Sequence, residues 1–193
     1  MNSQQIKEIL LSEIHEVSIN YEKYCNDPKR DFSRKRKLPF ELMLKNIIGM
    51  GSKSITNELI DIFQASGEMP SASAFVQQRT KIKPEALKAV FDGFMSRILA
   101  SADKMRILAV DGSDIQIETN PKDKMSHIST SIDKKSFNLL HLNALYDLEE
   151  HVYTDAIIQA AKSQNEHGAL NEMVDRSEIP KALVIADRGY ESY

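Results

Sequence analysis

Apolar positions along the chain change their spacing once. Up to about residue 100 they recur in steps of three and four, and beyond residue 104 they run together or alternate. The first pattern lines up side chains on one stripe of a helix, and alternation lines them up on one face of a strand. Ile6, Ile9, Leu10, Ile14, Val17, Tyr21 and Tyr24 predict a helix over residues 3–24, stopped by Asn26, Asp27 and Pro28. Pro39 opens a second helix through Phe40, Leu42, Met43, Leu44, Ile47 and Ile48, which Gly49 and Gly51 end. Ile55, Leu59, Ile62 and Phe63 mark a third, capped by Ser54 or Ser52. Gly67, Met69 and Pro70 break the chain, and Ser71 or Ser73 starts a short helix in SASAFVQQRTKI. Lys83-Pro84-Glu85 begins the last of this series, with proline at a first helical position and a stripe of Leu87, Val90, Phe91, Phe94 and Ile98.

The second half reads as strands. Residues 107–110 form an apolar run that leads into Asp111, and Ile115 and Ile117 alternate with polar residues beyond it. The intervening Asp111-Gly112-Ser113-Asp114 reads either as a hairpin turn or as the rim of a sheet. Residues 119–137 are polar and read as a surface loop. In LLHLNALYDL, Leu140, Leu142, Ala144 and Tyr146 share one face, and His141, Asn143, Leu145 and Asp147 share the other. Residues 148–150 make a turn, and HVYTDAIIQA returns as the second arm of an antiparallel hairpin. Asn165 caps a helix whose core face is Leu170, Met173 and Val174, and ALVIAD follows as a strand. The predicted class is α+β. A helical domain at residues 1–103 precedes an incomplete β-β-β-α-β domain at residues 104–193.

Composition narrows this only a little. With 41% hydrophobic and 27% charged residues the chain matches ordinary globular proteins. The net charge of −3 gives no polyanion-binding signal for the molecule as a whole. The local distribution does. Residues 29–37 hold Lys29, Arg30, Arg34, Lys35, Arg36 and Lys37 against the single acid Asp31. Such a run is either a solvated loop or a phosphate-contacting arm. The third and fourth helices, joined by a Gly-containing stretch, fit a helix-turn-helix pair, whose second member presents Gln77, Gln78, Arg79 and Lys81 to bases or phosphates. One cysteine, Cys25, excludes a disulfide framework and points to a reducing compartment. The N-terminus has no signal-peptide layout, and no apolar run approaches the ~20 residues that span a bilayer. A cytoplasmic protein with no membrane partner is expected.

Two aspartates carry the candidate chemistry. Asp111 and Asp187 each follow a buried apolar run, and Asp187 is followed by Arg188 and Gly189. Three antiparallel strands, a helix and a fourth strand open an RNase H-like sheet, in which the fourth strand lies parallel to the first. The two carboxylates then stand side by side at the strand tips, where open α/β sheets place their sites. Close carboxylates repel, so one takes a proton or both bind a cation. Oxygen ligands suit Mg²⁺ or Mn²⁺. The plainer reading is a turn pair at Asp111-Gly112 and a surface ion pair at Asp187-Arg188.

The stretches HLNALYDLEEHVYTDAIIQ, NEHGALNEMVDRSEIP and ALVIADRGYESY, in that order, resemble the DDE transposases of the insertion-sequence-four family. RDFSRKRKLPF and SASAFVQQRTKIKPEAL are similar to the helical part of the same proteins, so the resemblance runs from about residue 30 to the end. It implies that Asp111, in VDGS, and Asp187, in ADRGY, are the first two catalytic, metal-holding acids. It also implies Mg²⁺ or Mn²⁺ as cofactor, and double-stranded DNA of transposon terminal repeats as partner, held by a homodimer. The activity implied is hydrolysis followed by strand transfer. Arg30, Arg34, Lys35, Arg36, Lys37, Gln77, Gln78, Arg79, Lys81 and Arg188 are the candidate DNA contacts. The family's third acid is a Glu on a later helix, within a Tyr-Arg-Glu-Lys type motif. No residue before Tyr193 fills that place, since Glu191 comes only four positions after Asp187. The expectation is therefore an N-terminal part of a transposase that is inactive by itself, with a non-catalytic DNA-binding remnant or inhibitor as the alternative.

Overall fold

The computed structural model describes residues 2–34, 37–64, 66–99, 105–129 and 135–190. The chain divides into two compact units, residues 1–101 and 102–193.

Unit 1 is helical. Helix α1 (Ser3–Ile19) starts with a capping box, in which the Asn2 side chain accepts from the Gln5 N–H and the Gln5 side chain accepts from the Asn2 N–H. A short 3-10 turn, Tyr21–Tyr24, carries its stripe onward. Helices α2 (Phe40–Gly49), α3 (Ile55–Phe63), α4 (Ala72–Arg79) and α5 (Glu85–Leu99) follow. Ser54 caps α3 and Ser71 caps α4. Ile14, Val17, Phe40, Leu44, Ala86 and Val90 close one core between α1, α2 and α5. Leu38, Met43, Leu59 and Phe75 close a second that ties α3 and α4 to the other face of α2. Each large apolar side chain so buried contributes roughly 1.5–3 kcal/mol.

One strand-like link joins segments far apart in the chain. Cys25 and Ile82 form an antiparallel bridge. Around it, the Asn26 N–H donates to Lys81 O at 3.0 Å, the Lys83 N–H to Tyr24 O at 2.8 Å, and Asn26 Nδ2 to Thr80 O at 2.7 Å. These bonds fasten the start of the basic arm to the segment just after α4.

Unit 2 is a mixed sheet with one helix. Its strands are β1 (Arg106–Ile117), β2 (His127–Ile128), β3 (Phe137–Asp147), β4 (Val152–Ala160) and β5 (Ala182–Ala186), with α6 (Glu166–Asp175) between β4 and β5. β3 pairs antiparallel with β1 on one edge and with β4 and the two-residue β2 on the other. β5 pairs parallel with β1. The order β4–β3–β1–β5, with β1 and β5 parallel, is that of a partial RNase H-like sheet. Together the two units are mixed α+β.

Two local features depart from expectation. The polar segment after β1 contains β2, because Asn138 of β3 organises it. Asn138 Nδ2 donates to Ser126 Oγ at 2.7 Å, and its Oδ1 accepts from the Asn120 N–H at 2.8 Å. And Asp111-Gly112-Ser113-Asp114 is neither a turn nor the end of a strand. β3 is nearly as long as β1 and satisfies its backbone from Leu108 through Ile117, so the strand continues well past Asp111.

Alternation sets the two faces of the sheet. Leu108, Val110 and Leu145 meet Met173 of α6 and Tyr190. His141, Asn143 and Asp147 share that covered face and are buried, whereas Leu140, Leu142, Ala144 and Tyr146 on the opposite face are half-buried. Arg176 fixes α6 over β4: its Nε and Nη2 lie 2.6 and 2.7 Å from the two carboxylate oxygens of Asp155.

Candidate functional site

The pair of acids is built by the β1–β5 register. Arg106 stands opposite Ala182, and the ladder runs to Val110 opposite Ala186. One residue further on, Asp111 continues β1 and Asp187 follows the end of β5. Neighbouring strands run ~4.8 Å apart, which makes the two acids that follow this ladder candidates to share an ion. Both residues are exposed. Each uses one oxygen locally: Asp111 Oδ1 accepts from the Gly112 N–H at 2.8 Å, and Asp187 Oδ1 from the Arg188 N–H at 2.6 Å. The second oxygen of each has no protein partner among the described residues. No group of three His, Cys, Asp or Glu residues placed to hold a metal occurs among the described residues. Carboxylate oxygens are hard ligands, and a pair of them suits an ion that keeps several waters, as Mg²⁺ does.

On the face that α6 covers lies a polar cluster that alternation alone did not single out. His141 is buried, with Nδ1 at 2.9 Å from Asp114 Oδ1 of β1. Its Nε2 lies 3.1 Å from Oε1 of Glu166, the first residue of α6, at ion-pair distance but without hydrogen-bond alignment. Gly112 lets Glu166 and His141 come this close, since a Cβ there would lie 2.7 Å from both Glu166 Oε1 and His141 Nε2. Tyr190 is buried, and its hydroxyl donates to Asn143 Oδ1 at 3.1 Å. Burial, then the charges of Glu166 and Asp111, push that phenol up to about 12. The side-chain alternation of β3 was the available signal for His141 and Asn143. What it lacked was which face α6 would cover.

Arg188 is exposed and makes no ion pair among the described residues. In unit 1, Lys29, Arg30 and Arg34 are exposed, and Lys35 and Arg36 lie outside the described residues. Lys37 is drawn to Gly67 O at 2.9 Å and sits 3.6 Å from Glu68 Oε2. Arg79 is exposed, and Gln77 is exposed with Nε2 donating to Ser73 Oγ at 3.2 Å. Gln78 is buried, and Lys81 Nζ donates to its Oε1 at 2.5 Å. The connection from α3 to α4 covers residues 64–71, longer than the ~3–4-residue turn of a helix-turn-helix.

The basic arm and the end of α4, read separately in the sequence, meet in the structure. Lys29, Arg30 and Arg34 line one cavity of about 310 Å³ together with Gln78 and Lys81. The bridge at Cys25 and Ile82 brings them there. Phe32 helps to hold the arm in place. It adopts φ 54°, a left-handed conformation that costs an ordinary residue roughly 1–2 kcal/mol. Its ring packs edge-on against Phe40 at 5.2 Å between centroids, which offsets that strain.

The strand order defines unit 2 as a partial RNase H-like sheet. Residues 102–193 match the family model described as transposase DDE domain. No curated protein and no solved structure matches the chain.

Proposed function

We propose that the chain is part of an insertion-sequence DNA transposase. In this reading unit 1 grips the double-stranded DNA of transposon ends, and Asp111 and Asp187 are the first two acids of the catalytic centre in unit 2. The observation that carries it is the parallel pairing of β1 with β5, whose ladder ends one residue before Asp111 and Asp187, within residues that match a transposase DDE domain model. Asp111 and Asp187 would hold Mg²⁺ or Mn²⁺, and such an ion supplies charge stabilisation for phosphodiester cleavage and transfer. The chain's own residues supply the rest. The Gly112 and Arg188 N–H groups orient one oxygen of each acid, and exposed Arg188 offers a cation to a phosphate.

Two carboxylates make a weak ion site, so this chain alone is expected to bind DNA better than it cleaves it. A non-catalytic DNA-binding protein, inhibiting a complete relative, is the second reading. The absence of a third ligand among the described residues favours it. A gel shift with terminal-repeat duplex, across a range of salt, tests the common part. Binding that weakens steeply with salt is expected, and no binding at low salt overturns both readings. Mn²⁺ binding followed by paramagnetic relaxation separates them: loss of that binding in Asp111→Asn and Asp187→Asn supports the catalytic reading, and unchanged binding rejects it.

A further inference from the structure

The cationic cavity of unit 1 has a neighbour. A second cavity, of about 540 Å³, shares Gln78 and Lys81 with it. Its wall is largely apolar, formed by Leu38, Met69, Pro70 and Ala74. Its volume falls within the ~300–1,000 Å³ typical of small-molecule sites.

The two cavities differ in the ligand they suit. Lys29, Arg30, Arg34 and Lys81 face the first, and none of them forms an ion pair with a carboxylate among the described residues. Unpaired cations around a concave space attract an anion with several oxygens. The second cavity offers apolar surface with two amides on its wall. Lys81 occupies Gln78 Oε1 and leaves that residue its N–H donors, while Gln77 Nε2 is spent on Ser73 and leaves its oxygen as acceptor. A flat, mainly apolar group with donors and acceptors on its edge suits that wall, and a nucleobase is such a group. A base paired inside a duplex cannot enter a concave site, whereas an unstacked one can.

We infer that the adjoining cavities form one nucleotide site for single-stranded DNA, with phosphate in the cationic cavity and an unstacked base in the apolar one. This rests on the reading that unit 1 contacts DNA, and adds that it captures an unpaired or frayed strand. The arm and α4 then act together: the arm holds the backbone, and α4 presents its amides to the base edge.

The test uses the whole chain and fluorescence anisotropy. The probes are a labelled oligothymidylate, an abasic oligomer of equal length, and a duplex of equal length. The base-bearing strand should bind about tenfold more tightly than the abasic one. Ala74→Trp, which fills the apolar cavity, should remove that difference and leave duplex binding unchanged. Equal affinity for the base-bearing and abasic strands overturns the inference, as does a difference that survives in a folded Ala74→Trp protein. Should that variant not fold, photocrosslinking of a 5-iodouracil-containing strand to the native chain replaces it. Crosslinks at residues 69–71 support the site, and crosslinks confined to other segments reject it. Duplex binding with no preference for bases would sink this inference alone. No binding of any strand at low salt would sink the DNA reading with it. Competition by thymidine monophosphate as strong as by the oligomer would mark a free-nucleotide site and overturn the assignment to a DNA strand.

Discussion

Arg106 of β1 and Asp147 of β3 form a buried ion pair, with Nη1 2.6 Å from Oδ2 and both side chains almost wholly out of solvent. Asp147 Oδ1 also accepts from the Glu149 and Glu150 N–H groups at 2.8 and 3.0 Å, so one carboxylate ties β1 to the β3–β4 turn. Removing one member of such a pair takes a close partner from a charge held in the core. Asp147→Asn should therefore lower stability by roughly 3–5 kcal/mol, measured by urea unfolding. Replacing both, as Arg106→Met with Asp147→Leu, should cost less than the single change. A single variant as stable as the parent would show that the pair does not hold the sheet.

The same carboxylate sets an acid limb. Burial raises the affinity of Asp147 for a proton, but the Glu150 N–H, the Arg106 side chain and the Glu149 N–H outweigh it and hold the acid below the usual carboxylate range. A depressed folded value stabilises the protein above the unfolded value, and that stability is lost as pH falls through the folded one. Unfolding free energy measured from neutral pH downward should fall below the ordinary carboxylate range. Asp147→Asn should flatten that fall, and an unchanged slope would assign it to other acids.

Cys25 should be inert in the native protein. Burial, and then the charge of Asp31, push its thiol up to about 11. It is fully buried beside the bridge to Ile82. Reaction with a disulfide reagent at neutral pH should wait for unfolding, so the labelling rate should track denaturant. Fast labelling in buffer would mean that the arm opens at this bridge.

Gly112 should not tolerate a side chain. Its added Cβ would meet Glu166 Oε1, which can swing away, and His141 Nε2, which is buried and held by Asp114. Gly112→Ala should cost about 1–3 kcal/mol of stability. It should also move the His141 ring resonances in NMR. A melting temperature equal to the parent's would show that α6 gives way at no cost.

The far face of the sheet predicts self-association. Tyr153, Ile158, Leu183 and Ile185 are 58%, 63%, 53% and 49% exposed, and β5 closes the sheet on one side as an edge strand among the described residues. Exposed apolar strands at an edge invite pairing. Light scattering should detect association of the chain at micromolar concentration, and Ile158→Lys with Leu183→Lys should reduce it. A monodisperse parent chain would contradict the expectation.

The amino-acid order by itself determined the periodic parts. Steps of three and four in residues 3–19, and the apolar run ending at Asp187, are local patterns that need no partner to be recognised. It also placed Asp111 and Asp187 as the acids to watch. Only tertiary structure decided that β1 runs on past Asp111, because that depends on the length of β3 beside it. Only the packing of α6 made His141, Asn143 and Asp147 the buried face and left the leucines at 140 and 142 half-buried. And only the bridge of Cys25 to Ile82 brought a basic arm to the end of a helix about fifty residues away. Periodicity is written residue by residue. Which face is covered and which segments meet are set by long-range contacts, and those exist only once the chain has closed on itself.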